Sequence, residues 1–351
     1  MNDPIIKSLK ETLKRYLSLK NQHLCLGLSG GPDSMSLLHL LLECKNLLPF
    51  QLSVAHIDHG WRRESSEEAE QIRCMARDKN IPCYLHKLQI DKDAPNLEDL
   101  CRSGRLEFFR SLYNQGVFDI LLLGHQADDR AETVLKRIFE GANVNSLPGL
   151  REFTIYREMP VLRPLLGFSK KELLQWLDAK GVAYFRDATN LDPRFLRGRM
   201  RKELFPFIEQ VFGKKIQKNL NKFADRSLEM NRYLEKNIKK FYPAISWQER
   251  CLQIDFTNFP DLDKVEISFF LSKILKLVQD HLSFQQQDRL IKMICGREYN
   301  KKIISKNAVF KAHGGKLYIE FSNGEIKNKL LKLSEIDLMP NLINNLKFRH
   351  L

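Results

Sequence analysis

The 351-residue sequence has no uninterrupted apolar run near eighteen residues, the length a membrane helix needs. No membrane partner is expected. Its first residues place Ile5, Ile6, Leu9, Leu13, Tyr16 and Leu17 between charges, the pattern of an amphipathic helix. They lack the continuous apolar segment of a secretion signal, so the expected compartment is the cytoplasm. The seven cysteines, at positions 25, 44, 74, 83, 101, 251 and 295, form no CxxC pair. An odd count at scattered spacing speaks against a disulfide framework, a zinc ribbon and a cysteine-held iron–sulfur cluster. There is no internal repeat and no low-complexity tract. The Gly-rich stretch SGGPDS (Ser29–Ser34) also has no lysine, which a nucleoside-triphosphatase P-loop requires.

What is present is unevenly charged. Residues 1–185 carry 25 basic against 24 acidic side chains, residues 186–240 carry 15 against 7, and the remainder 17 against 12. A near-neutral first half followed by a basic block suits a polyanion gripped from the second half. Solvated helices with surplus lysine would give the same count.

Short apolar segments alternate with helical patterns through the first half. Strands are expected at His23–Leu28, Leu52–Ile57, Cys83–Gln89, Ile120–Gly124, Thr154–Arg157 and Ala183–Arg186, with helices at Ser34–Lys45, Ser65–Lys79, Leu97–Tyr113 and Ala127–Phe139. Asn96 reads as an N-cap and Gly181 as a C-cap. This alternation predicts an α/β domain, a doubly wound parallel sheet over residues 1–205, with ligands at the carboxyl ends of its strands. A smaller, mostly helical domain is expected over 206–321, with a hairpin turned at Gly314-Gly315, followed by a C-terminal tail at 322–351.

Three loops then fall at one end of the sheet. In the first, Gly30 and Gly31 permit a tight turn, Pro32 opens the helix, and its first amides point at an anion. Ser29 and Ser34 offer hydroxyls and Asp33 a carboxylate for Mg2+, a set suited to the pyrophosphate part of a nucleotide; a plain strand–turn–helix corner is the alternative. The second loop holds His56, Asp58 and His59, with Arg62 and Arg63 beyond, and decides nothing alone. In the third, His125, Asp128 and Asp129 stand at a helix mouth. The acids could complement the helix dipole only, or ligate Mg2+ beside a histidine near an α-phosphate. Asp128 and Glu132 are one helical turn apart. Arg102 and Arg105 share a helix face, Arg163 precedes a proline, and Arg186, Arg194, Arg197, Arg199 and Arg201 cluster beside Phe185, Phe195 and Phe205. Such arginines suit phosphates and unstacked bases, or the salt bridges of a solvated helix start.

The segments SGGPDS, HIDHGWR, HQADDRAET, RPLL and DATNLDPRFLRGRMR, in this order, resemble the tRNA(Ile)-lysidine synthetases, a family within the PP-loop ATP pyrophosphatases. The resemblance covers roughly residues 20–210, and the helical region beyond looks like the family's substrate-binding domain. It implies an ATP-dependent ligase that joins free L-lysine to the wobble cytidine of the isoleucine tRNA with a CAU anticodon. The base is first adenylated with release of pyrophosphate, and the lysine amine then displaces AMP. By the same resemblance ATP is held by Ser29, Gly30, Gly31, Pro32, Asp33, Ser34, His56 and Asp58. Catalysis falls to Asp33, His125, Asp128 and Asp129, Mg2+ to Asp33 and Asp128, and tRNA to Arg102, Arg105, Arg163, Arg194, Arg197, Arg199 and Arg201. A homodimer is a further expectation.

The chain departs from the family pattern at Arg130 (commonly Gln), Gly198 (commonly Asn) and Leu106 (commonly aromatic). The residues after Phe321 are too few for the second C-terminal domain that many members carry. Another PP-loop tRNA-modifying enzyme, such as a cytidine thiolase, and a non-catalytic tRNA-binding protein are the rival readings; the thiolase chemistry would need the paired cysteines that are lacking.

Overall fold

The computed structural model describes residues 3–17, 21–58, 60, 64–90, 97–185, 195–248, 251–259, 261–277, 280–296 and 302–321. The chain forms two compact units. Unit 1 comprises residues 1–140 and 149–224, and unit 2 comprises 141–148 and the chain from 225 onward. The boundary expected at residue 205 falls inside unit 1.

Unit 1 begins with α1 (Pro4–Tyr16), N-capped by Asp3, whose Oδ1 accepts from Ile5 N at 2.9 Å. It continues through β1 (Gln22–Gly27), α2 (Pro32–Lys45), β2 (Phe50–Asp58), α3 (Glu64–Asp78), β3 (Cys83–Lys87), α4 (Leu97–Asn114), β4 (Ile120–Leu123) and α5 (Ala127–Phe139). Then come β5 (Phe153–Tyr156), β6 (Met159–Leu162), α6 (Lys170–Lys180), α7 (Leu196–Arg199), a π-helical turn (Met200–Leu204), α8 (Phe205–Phe212) and α9 (Ile216–Asn237), whose second half belongs to unit 2. The sheet order is β3-β2-β1-β4-β6-β5, parallel throughout except for β5 against β6. Strand order reverses between β1 and β4, which lie side by side from Leu24↔Ile120 to Gly27↔Leu123. That reversal is the crevice where a doubly wound sheet takes its ligand.

Strands buried on both faces explain the continuous apolar runs. One cluster joins α1, α2 and α6 to the sheet through Leu9, Leu13, Leu37, Leu41 and Leu177, and another packs α4 beneath it through Phe109 and Leu112. A third holds α5 to the segment after α7 through Val134, Leu135, Met200, Phe205, Leu220 and Ala224. This packing is why residues 206–224 belong to unit 1.

Two expectations fail in unit 1. Residues 183–185 are not a strand; Phe185 N instead donates to Gly30 O at 2.9 Å. Strand β6 was not anticipated, because it is four residues long and contains proline; its pairing with β4 involves Val161 and Leu162, after Pro160. Asn96 lies outside the described residues, whereas Gly181 caps α6 in the left-handed conformation (φ 63°).

Unit 2 adds β7 (Ile245–Gln248), β8 (Cys251–Asp255), α10 (Lys264–Leu277), α11 (Phe284–Ile294), β9 (Lys302–Ile304), β10 (Ala308–His313) and β11 (Lys316–Phe321). Its helices are joined by a five-stranded antiparallel sheet, β7-β8-β11-β10-β9, larger than the single hairpin expected. The Gly314-Gly315 turn does close β10 onto β11, with both glycines at positive φ. Residues 141–148 are held here by Asn145 Nδ2, which donates to Ser272 Oγ at 2.7 Å, and by Asn231 Nδ2, which donates to Asn145 O at 3.1 Å. Among the described residues no helix is long and apolar enough to cross a membrane.

Candidate active site

The loop after β1 is built from its own hydroxyls. Ser34 Oγ donates to Gly31 O at 3.0 Å and accepts from Ser29 N at 3.2 Å, and the two serine oxygens lie 3.0 Å apart. Gly30 sits at φ +80°, which disfavours side chains, and a Cβ there would strike the Phe185 ring at 2.3 Å. Gly31 is the N-cap of α2 and makes no side-chain cap bond, with Pro32 in the first turn. The first amides of α2 are therefore left for an anion. Across the crevice a Cβ on Gly124 would come within 3.1 Å of the Asp33 and Ser34 backbone. Glycine at the end of β4 thus lets the two ligand loops touch.

Asp33 opens α2 and faces like charge. Its Oδ1 is sealed from solvent without a hydrogen-bond partner among the described residues. Burial, with Asp129 and Asp128 adding repulsion against Lys170 and Arg201, pushes its carboxyl up to about 6. Asp128 and Asp129 begin α5 with divergent tasks. Asp129 Oδ2 accepts from Gln126 N at 3.1 Å in a capping box, and its Oδ1 accepts from Arg201 NH2 at 2.9 Å. Asp128 Oδ2 accepts from Lys170 N at 3.0 Å, at the start of α6. Glu132, one turn on and only 2% exposed, takes Arg201 through Nε and NH2. Burial raises the Glu132 carboxyl although Arg201 opposes it. Arg201 itself, penalised by burial, is held above its ordinary value by Glu132, Asp129 and Asp33.

Arg201, expected among the tRNA contacts, gives Nε and NH2 of its guanidinium to two buried carboxylates, because the π-helical turn that carries it packs on α5. Asn221 Nδ2 ties the same region to Ala127 O at 2.9 Å.

His125 gathers the other arginines. Burial and the charges of Arg163, Arg197, Arg105 and Arg102 hold its imidazole well below the usual range, so it is neutral. Its Nδ1 is sealed without a partner among the described residues. Arg163 is half anchored: NH1 donates to Arg151 O at 3.1 Å and Thr154 Oγ1 at 2.9 Å, while Nε has no partner. Burial and Arg102 bring it down to about 10. Arg102, Arg105 and Arg199 are exposed.

His56 and Asp58 serve the scaffold. His56 Nδ1 donates to Leu28 O at 2.8 Å, which fixes the residue before the Gly-rich loop, and burial keeps the ring neutral. Asp58 closes the β2–α3 turn, accepting from Gly60 N at 2.7 Å and Ser66 Oγ at 3.1 Å; burial alone would raise its carboxyl, but the Ser65, Gly60 and Ser66 bonds hold it below the usual range. Both, expected as ATP contacts, support the loop through these bonds. His59, Arg62, Arg63, Arg186 and Arg194 lie outside the described residues.

Four contributors were not foreseen. The capping box at Ser169 marks the α6 start that offers Lys170 N. Gly124 was read only as a strand end, and Glu132 only as a neighbour of Asp128. Phe185, noted only beside the arginines, meets Gly30 from far along the chain, which no local pattern signals.

Among the described residues no three acidic, histidine or cysteine side chains form a preassembled metal cage. Asp33 keeps an Oδ1 without a partner among the described residues and Asp128 commits Oδ2 to Lys170 N, so each carboxylate has a hard oxygen of the type Mg2+ takes beside substrate phosphates.

The PP-loop domain family matches residues 1–208. A tRNA(Ile)-lysidine synthase of Protochlamydia amoebophila is 37% identical over 270 residues, covering 77% of this chain and 59% of that protein. One from Chlamydia trachomatis serovar L2 is 36% identical over 285 residues, covering 77% of this chain and 88% of its own length. One from Chlamydia pneumoniae is 40% identical over 237 residues, covering 66% and 72%. The U34-tRNA thiolase NcsA from Methanococcus maripaludis, solved with its iron–sulfur cluster, shares the fold at TM-score 0.52 and 20% identity, covering 64% of this chain and 79% of that one. With the Gly-rich loop, His125 and the paired aspartates at one switch point, the chain belongs to the tRNA(Ile)-lysidine synthase family, ATP-using ligases built on the PP-loop domain.

Proposed function

We propose that this chain ligates L-lysine to the wobble cytidine of the CAU-anticodon isoleucine tRNA through an adenylated cytidine, releasing pyrophosphate and AMP in the cytoplasm. The observation that carries this reading is the β1/β4 crevice. There an uncapped helix start, two like-charged aspartates and a neutral histidine amid four arginines meet.

ATP lies with its β- and γ-phosphates on the Ser29–Ser34 loop. The missing loop lysine fits cleavage between the α- and β-phosphates, because the pyrophosphate leaves as a unit. Asp33 and Asp128 would hold Mg2+, which would supply charge neutralisation for that leaving group. The α-phosphate faces His125, whose neutral ring can hydrogen-bond to it, while Arg163, Arg197, Arg105 and Arg102 offset the charge developing there. Arg201 acts one layer back: by clamping Glu132 and Asp129 it fixes the mouth of α5 and therefore the direction of Asp128 and His125. The basic block from Arg197 to Lys240 grips the tRNA with salt-sensitive affinity.

The test is purified full-length protein with ATP, labelled lysine and the tRNA. Label should enter the RNA only when all three are present, with one AMP formed per lysine attached. ATP turnover without label in RNA would sink the proposal.

A further inference from the structure

Helix α8 buries one large side chain, Phe205, and exposes three. Phe207, Val211 and Phe212 are 63%, 62% and 67% exposed. Phe207 and Val211 stand one turn apart, and Phe212 follows at the helix end. The core beside α5 takes Phe205, Leu204 and Ile208 and leaves these three out. Three wet apolar side chains on eight residues form a patch that soluble surfaces avoid unless it is used.

The surrounding charge says what covers it. Lys202 precedes α8, Lys214 and Lys215 follow its Gly213 cap, and Lys218 and Lys222 stand on the first turns of α9. All five are exposed, and none pairs with an acid among the described residues. Only Glu203 and Glu209 oppose them between Arg199 and Phe223. A second copy of the chain laid on this face would bring lysines against lysines. A partner with flat apolar faces strung on an anionic backbone satisfies rings and cations together, and unstacked nucleotides are that partner.

We infer that Phe207 and Phe212 form a stacking platform for unpaired bases of the RNA substrate, with Lys214, Lys215 and Lys218 on the adjoining phosphates. The inference rests on the reading that the substrate is a tRNA and assigns contacts to its loop rather than its stem.

The experiment measures affinity of the full chain for a fluorescent RNA stem-loop with a CAU-containing loop, across several salt concentrations. A blunt RNA duplex of equal length serves as control. Phe207→Ser with Phe212→Ser should weaken stem-loop binding by about fivefold or more per ring, leave the salt slope unchanged, and not alter duplex binding. Phe207→Tyr with Phe212→Tyr, which keeps the rings, should bind like the parent. Lys214→Ala, Lys215→Ala and Lys218→Ala together should flatten the salt slope by about two.

Parent-like stem-loop affinity in the serine pair overturns the inference, as does an equal loss on duplex. So does a dimer-to-monomer change on sizing, or lost flotation with phosphatidylglycerol vesicles, when either occurs with RNA affinity intact. Lysine incorporation by the parent protein is scored separately: its absence refutes the reaction and leaves the affinity comparison standing.

Discussion

Among the described residues unit 1 buries His56, Asp58, Asp129 and Glu132, whereas the buried polar side chains of unit 2 are Ser227 and Asn231 alone. Unit 2 is closed by rings: Phe241 meets Phe256 and Phe259 edge-on at centroid distances of 5.4 and 5.1 Å and Phe270 at 5.4 Å. The difference shows in the titrating groups. In unit 1, burial pushes Asp33 up to about 6, while in unit 2 the half-buried Asp255 is pulled down to about 2 by Thr257 and Lys316. Unit 1 carries the electrostatic cost of collecting charge in a crevice, which reactive sites require and packing alone does not. Unit 2 spends its interior on dry contact.

Five substitutions sharpen or break this contrast. The largest effect belongs to the aromatic core: Phe241→Ala should cost about 3–5 kcal/mol of stability, read by urea titration with circular dichroism. A loss under about 1 kcal/mol would mean the rings are not what closes unit 2. Asp33→Asn should lower adenylation by about 10²–10³-fold while RNA affinity holds and the melting temperature does not fall. A lowered melting temperature would show that the buried charge stabilises rather than burdens the fold.

Arg201→Ala leaves Glu132 and Asp129 without their cation, and should destabilise by about 2–3 kcal/mol. Arg201→Ala combined with Glu132→Gln should recover part of that loss; strict additivity of the two would deny the coupling. The smallest effect is Asp255→Asn. Its folded carboxyl lies below the unfolded value of 3.8, so its contribution is fully present above that value and fades as pH falls through about 2. Melting curves of parent and variant should therefore differ at pH 5–7 and converge only below about pH 2. A gap that does not shrink from pH 5 to about pH 2 would place the effect elsewhere.

The strands and helices of unit 1 were largely legible because a sheet covered on both faces writes itself as short apolar runs between amphipathic helices. The PP-loop was legible because tight turns demand glycine locally. Ala183–Phe185 misled because Phe185 packs over Gly30 instead of pairing in a ladder. In unit 2, Leu252 and Ile254 alternate as β8 should, but two such residues in a short strand do not stand out beside long helices. Arg201 shows the limit at the site. An arginine among arginines looks like a phosphate ligand, and only the fold reveals two buried carboxylates within its reach.

The central claim is that the β1/β4 crevice activates the RNA base and not the amino acid. It is tested by incubating the protein with α-labelled ATP and the CAU tRNA in the absence of lysine. The account predicts labelled AMP covalently on the tRNA, discharged when lysine is added. Label on lysine instead, formed without tRNA, would contradict it.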